Sequence, residues 1–308
     1  MGIIAKGKSM RISTKVLAFL LCLWMMPGII VEACTIFIVS DSKAVLVGNN
    51  EDTPLTDAKI TFTPASAGKK YGKMVFSFDS FRNGFPQGGM NTEGLFFDIA
   101  VSPAMEVVFP PELVRCDSHR VIEKILEECS TVKEAIEVIS NHTLEGIQGV
   151  QVFFADKTGD AAVVGVGKEK RIHVTWKKEN FLVLSNFNLE NPGAGGYPCY
   201  RHSLATEMLK ENPEPSVANF RAVLWAVHTE GPATTFYSNI CDLKNGEMYL
   251  YYFHDFESPR KIVLNEELKK GTHSITVESL FPRKPFAAIA TQELREMFMK
   301  LMQQHSQK

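Results

Sequence analysis

From residue 34 onward the chain alternates between short β-like runs and two blocks of helical periodicity. Residues 34–40 read as an apolar strand, and Asp41-Ser42 turns the chain. Residues 44–47 form a second strand that ends in Gly48-Asn49-Asn50-Glu51-Asp52. Further strands are expected at 59–63, 73–78 and 94–101. The period then changes. Asp117-Ser118 opens a helix with Val121, Ile122, Ile125 and Leu126 on one face, and Thr131-Val132-Lys133-Glu134 is a capping box for a second helix carrying Ala135, Ile136 and Ile139. Strands return at 149–154, 161–166, 172–176 and 181–184, followed by a second helical pair at 201–210 and 216–227. A last hairpin spans 235–241 and 247–253 around Asn245-Gly246. Two groups of strands and two helical pairs in one domain imply sheets packed on each other with helices outside. Residues 287–303 are helical by pattern and predict a peripheral helix before a polar tail ending at 308.

The first 33 residues follow another rule. Lys6, Lys8, Arg11 and Lys15 precede an apolar run over 16–30 that Pro27-Gly28 interrupts, and Val31-Glu32-Ala33 fits a signal-peptidase site. Residues 1–33 are therefore expected to be a secretory leader, which makes the mature chain an exported protein beginning at Cys34. The run is shorter than the roughly 20 apolar residues of a membrane anchor, so no stable membrane insertion is expected after cleavage. A bacterial lipoprotein leader also ends before a cysteine, but Glu32 stands where such leaders carry a small neutral residue. In that alternative Cys34 is a lipid anchor on a non-catalytic protein.

Composition narrows the classes further. Residues 34–308 carry 29 basic and 34 acidic side chains with no basic block, which argues against a nucleic-acid partner. The 275 residues suffice for one large domain with a proper core. Five cysteines remain after the leader: Cys34, Cys116, Cys129, Cys199 and Cys241. The odd number leaves one thiol free in an oxidising compartment, and the other four are either two disulfides or reduced core residues. No Gly-x-Gly-x-x-Gly, P-loop or metal-ligand spacing is present, so no metal or cofactor is implied.

A mature Cys34 would join a thiol to a free α-amine. An ordinary thiol is mostly protonated at neutral pH and needs a base. An α-amine with a pKa of about 7.7–8 can serve, without a histidine. Cys34-Thr35 opening a strand, and a hairpin leading to Gly48-Asn49-Asn50-Glu51-Asp52, resemble the start of the choloylglycine hydrolase and penicillin V acylase family, N-terminal-nucleophile hydrolases of linear amides. The resemblance continues through Gly89-Met90-Asn91-Thr92-Glu93-Gly94-Leu95, Leu184-Ser185-Asn186, Tyr200-Arg201 and the hairpin with Tyr237-Ser238, in that order, over 34 to about 265. It implies an α+β fold, a four-layer αββα arrangement of two mainly antiparallel sheets between helices, over residues 34–286. The expected activity is cleavage of an N-acyl amide through an acyl-thioester. The alternative within the fold is acyl transfer to an amine.

By the same resemblance Cys34 is the nucleophile, Asp52 orients its amine, Asn186 donates to the oxyanion, and Arg201 holds the network. Two positions depart from the bile-salt enzymes: Asn49 stands where they carry an arginine, and Phe96-Phe97-Asp98-Ile99-Ala100-Val101 lacks their asparagine. Asn49, Asn91, Asp98 and Phe85 are the expected substrate-binding residues. Asp98 lies in an apolar strand and needs a partner if buried. The loops around Gly84-Phe85-Pro86 and over 188–197 are expected to border the site and to suit a fatty or aromatic acyl group. The small-molecule N-acyl amide is the one partner implied, and homo-oligomerisation is left open.

Overall fold

Alternate side chains of nearly every strand enter two different cores, and that alternation builds the layers. A computed structural model describes residues 34–81, 84–231 and 233–281. Six strands pair antiparallel in the first sheet, in spatial order β10 (Phe181–Leu184), β1 (Thr35–Ser40), β2 (Val45–Thr53), β11 (Thr234–Asp242), β12 (Glu247–Tyr252) and β13 (Asp255–Val263). Eight form the second, in order β14 (His273–Thr276), β3 (Ala58–Thr63), β4 (Lys73–Phe78), β5 (Pro86–Asn91), β6 (Phe96–Val101), β7 (Val150–Ala155), β8 (Ala161–Val166) and β9 (Ile172–Trp176).

Ile36, Ile38, Val45 and Val47 of the first sheet meet Phe62, Met74, Phe76, Phe96 and Phe153 of the second in an apolar central layer. The opposite faces carry the helices. Phe37, Val39 and Leu46 pack under helices α3 (Tyr200–Glu211) and α4 (Val217–Ala226) through Ala205, Leu209, Phe220 and Leu224. Phe97, Ile99 and Val152 pack under α1 (Ser118–Glu128) and α2 (Val132–Ser140) through Val121, Ile125, Leu126 and Ala135. This is the expected αββα sandwich.

Local signals set the boundaries. Asp117 caps α1 by accepting from the His119 N–H, and the Thr131–Glu134 capping box opens α2 as expected. The chain differs from the sequence reading in three places. Strand β2 does not stop at Val47 but runs through the polar residues to Thr53, because the buried middle of a sheet satisfies their backbone groups. Pro86–Asn91, part of it read as loop, is a strand, and β13, the short helix α5 (Leu264–Leu268) and β14 continue the fold beyond the last expected hairpin. The five cysteines at 34, 116, 129, 199 and 241 are free thiols, three of them buried, which favours the reduced-core alternative. The leader and the helix expected at 287–303 lie outside the described residues.

Candidate active site

The register of the first sheet decides what surrounds Cys34. Cys34 immediately precedes β1 and is 3% exposed. Strand β2 runs antiparallel to β1, with Thr35 opposite Asn50 and Ile36 opposite Asn49, and β11 lies on the far side of β2. Because side chains alternate along a strand, β2 sends Asn50 and Asp52 toward the helices and Asn49 and Glu51 into the central layer.

On the helix side one guanidinium gathers the expected catalytic residues. Arg201, in the first turn of α3, donates from Nη1 to the Cys34 carbonyl oxygen at 2.9 Å and to Thr35 Oγ1 at 2.8 Å. The same nitrogen reaches Asp52 Oδ2 at 3.5 Å, and Nη2 donates to Asn186 Oδ1 at 2.9 Å. Such a planar fork suits several acceptors at fixed angles. Thr235 Oγ1 donates a very short hydrogen bond to Asp52 Oδ1. Beside it, Asn50 donates to the Leu224 carbonyl and accepts from Ser238, locking the strand to α4. Asn186 Nδ2 donates to the Val101 carbonyl at 2.9 Å, which uses one of its two amide hydrogens. The loop that follows is folded back over it. Gly196, at φ 77°, lies so close to the Asn186 carbonyl that a Cβ would stand 2.5 Å from that oxygen.

Electrostatically the thiol sits among acids. Burial pushes the Cys34 pKa well up, and the charges of Glu51, Asp52 and Asp98 push it further, while the Asp52 backbone N–H pulls it down. The resting thiol is therefore protonated. Burial also lifts Asp52 to about 7, against the opposing pull of Arg201 and hydrogen bonds from Thr235 and Thr229. Asp98 faces the same layer from β6. Its pKa is raised well above the carboxylate range by burial, offset by the Ile99 N–H that donates to its Oδ1 at 2.8 Å. The carboxyl fits because residue 88 is glycine: a Cβ there would lie 2.5 Å from Asp98 Oδ2.

The central-layer wall is more polar than the sequence suggested. Asn49 is fully buried, and neither its amide nitrogen nor its oxygen has a hydrogen-bond partner among the described residues. Tyr237, paired with Glu51, stacks on Phe76 at 4.7 Å, and its hydroxyl likewise has no partner there. Buried polar groups of this kind ordinarily have a partner, and in a site they are free to meet a substrate or water.

Two expected substrate residues are elsewhere. Asn91 points toward α1: Nδ2 donates to the carbonyls of Leu126 and Cys129, and Oδ1 accepts from Glu93 and Leu95. All its hydrogen-bonding capacity is used in holding the β5–β6 turn against the helix end, so its role is structural. Phe85 packs into the helix-side core, with its ring 5.9 Å from His119, and not into the layer that contains Cys34. The structure brings Cys34, Asp52, Asn186, Arg201, Asn49 and Asp98 together. Sequence reasoning missed Thr35, Glu51, Thr235 and Tyr237. Glu51 and Tyr237 were accessible from strand parity once β2 was extended. Thr235 was not, because it depends on a bulge in β11 between Thr235 and Tyr237.

Comparison with known proteins agrees with this architecture. A sequence model described as acyl-coenzyme A:6-aminopenicillanic acid acyl-transferase matches residues 42–212, a span that contains Asp52, Asp98, Asn186 and Arg201 and begins after Cys34. No sequence among the curated proteins compared matches the chain. The fold is similar to that of a variant of conjugated bile acid hydrolase from Clostridium perfringens, with a TM-score of 0.60, 17% identity, and coverage of 79% of this chain and 96% of that one. It is similar also to penicillin V acylase from Agrobacterium tumefaciens, with a TM-score of 0.56, 16% identity, and coverage of 74% and 84%. With more than half its length matched, the chain belongs to the acyl-coenzyme A:6-aminopenicillanic acid acyl-transferase family, and it has the sandwich fold of the two solved structures.

Proposed function

We propose that this protein is an exported hydrolase of linear N-acyl amides that uses Cys34, freed by cleavage after Ala33, as an N-terminal nucleophile. The observation that carries the reading is the Arg201 guanidinium, which ties the Cys34 main chain and Thr35 to Asp52 and Asn186. A structural cysteine needs no such clamp.

The chemistry follows from the electrostatics. A thiol buried among acids does not ionise by itself, so a base must take its proton as it attacks. The Cys34 amine is that base, and Asp52 holds it in place. Sγ bonds to the amide carbon, and the carbonyl oxygen becomes an oxyanion that the second amide hydrogen of Asn186 meets. Loss of such a donor typically costs about 2.7–4 kcal/mol in the barrier. The α-ammonium then protonates the leaving nitrogen as the C–N bond breaks, leaving a thioester on Cys34. Water, deprotonated by the amine, releases the acid. Asn49 and Tyr237 would bind polar groups of the substrate, so the wall beside Cys34 favours a substrate with hydrogen-bonding groups near the scissile amide over a wholly apolar acyl chain.

The test is the N-terminal sequence and intact mass of the processed protein before and after iodoacetamide, with hydrolysis of an N-acyl amide panel followed in parallel. A terminal Cys34 that alkylates, with loss of amide hydrolysis, supports the proposal. A retained Ala33 or a lipidated Cys34 overturns it. The family description itself favours a second reading, in which an amine rather than water intercepts the thioester. New amide products on adding amine acceptors would identify transfer.

A further inference from the structure

Away from Cys34, the loop between α4 and β11 and the turn between β12 and β13 bring two histidines and a glutamate together. We propose that His228, Glu230 and His254 form a binding site for a divalent transition metal, with Zn²⁺ the best match. One nitrogen from each imidazole and one Glu230 oxygen lie within 4.8 Å of one another. The sequence hides this site, because its third ligand comes from a separate turn and the spacing matches no metal motif.

The hydrogen bonds prepare the ligands. His228 Nδ1 makes a short hydrogen bond to the Trp225 carbonyl, so Nδ1 carries a proton and Nε2 is left with a lone pair. That arrangement, a ligand nitrogen aimed by a backbone carbonyl on the other ring nitrogen, is how metal-binding histidines are commonly oriented. Nε2 lies 3.6 Å from Glu230 Oε1. Two acceptors so placed can share a cation. A proton could serve for that pair alone, but the His254 ring, with its centroid 4.5 Å from that of His228, supplies a third donor. His254 is held by contacts of 3.2 Å from Nε2 to the Thr229 carbonyl and to Thr234 Oγ1. Its turn also requires a left-handed backbone at Phe253, φ 51°, which a bulky aromatic rarely adopts.

A tetrahedral Zn²⁺ with bonds of about 2.0–2.1 Å places its ligand atoms about 3.4 Å apart. The His228–Glu230 pair at 3.6 Å is already close to that spacing, and the 78% exposed Glu230 side chain can adjust to the third ligand. Two imidazoles and a carboxylate leave the fourth position for water. Thr229, between two of the ligands, donates its N–H to Thr235 Oγ1 at 2.8 Å, and Thr235 in turn donates to Asp52. The ion would therefore brace the loop that holds Asp52.

The experiment titrates ZnCl₂ into the full-length mature protein, stripped of metal and with its thiols alkylated, by calorimetry and by thermal unfolding. The parent, Glu230→Gln and His254→Gln are compared. The expected result is one equivalent bound, a Tm that rises with zinc concentration, and at least tenfold weaker binding in each variant. Glu230 is exposed, so its variant reads binding without a folding defect. Absence of saturable binding, or binding unchanged in both variants, overturns the proposal.

Discussion

Replacing Arg201 by methionine keeps an apolar stem and removes the fork that organises the site, and its effect should depend on pH in a calculable direction. Three of the fork's hydrogen bonds go to neutral acceptors, the Cys34 carbonyl, Thr35 Oγ1 and Asn186 Oδ1, and their loss is independent of pH. Stranding these acceptors beneath α3 should cost about 3–5 kcal/mol. The fourth contact is to Asp52, whose pKa in the folded chain is about 7, above the 3.8 of an ordinary aspartate. A carboxyl raised in this way stabilises the fold while protonated. That contribution is complete below about pH 4 and is lost as pH rises through about 7. Arg201 limits the loss, since it is the largest influence drawing the Asp52 pKa down. Each pKa unit it supplies is worth about 1.4 kcal/mol. Urea unfolding followed by circular dichroism should therefore show Arg201→Met destabilised at both pH 5 and pH 8, and by about 1 kcal/mol more at pH 8, the one pH unit above the Asp52 pKa of about 7 setting the ceiling. The α-amine of a processed chain titrates in both proteins and cancels to first order. Equal destabilisation at the two pH values, or a smaller effect at pH 8, would refute the electrostatic coupling of Arg201 to Asp52.

Two further substitutions separate structure from chemistry. Asn91→Ala should lower stability by about 2–4 kcal/mol, because it strands two helix-end carbonyls and two turn N–H groups, yet leave the KM of the folded enzyme unchanged. A raised KM with intact stability would return Asn91 to the substrate. Glu51→Gln removes the largest like-charge influence on the Cys34 thiol, so its thiolate fraction should rise and iodoacetamide should alkylate it several-fold faster at pH 8. An unchanged or slower rate would show that Glu51 does not act on the thiol through its charge.

Much of the frame was legible because local signals coincide with tertiary demand. Capping at Asp117 and at Thr131–Glu134 sets α1 and α2, and strands β8, β9 and β10 fall on the expected residues. The polar half of β2 was not legible as strand. Gly48-Asn49-Asn50-Glu51-Asp52-Thr53 has little β propensity, and only pairing with β1 and β11 makes it extended. Asp52, Asn186 and Arg201 were found through resemblance, since nothing local distinguishes Arg201 from a surface residue in a helix's first turn. Asn91 was expected at the site from a motif and Phe85 from a loop thought to border it, but both side chains lie on the helix side of the second sheet.

The same polar strand explains how the chain keeps two chemistries apart beside one thiol. Asn50 and Asp52 face the helices, where Arg201, Thr235 and Ser238 satisfy them, and Asn49 and Glu51 face the layer between the sheets with Tyr237 and Asp98. A slip of one residue would exchange the two sets, putting Asp52 in the central layer and Glu51 under the helices. The bulge in β11 lets the neighbouring strand serve both sides. Thr235 pairs with Asp52 while Tyr237 pairs with Glu51, and the extra residue, Phe236, turns into the central core beside Tyr237. Without that extra residue β11 could not place Thr235 on Asp52 and Tyr237 beside Glu51 at once. The bulge is thus the backbone feature on which both the orientation of Asp52 and the polar wall at Cys34 depend.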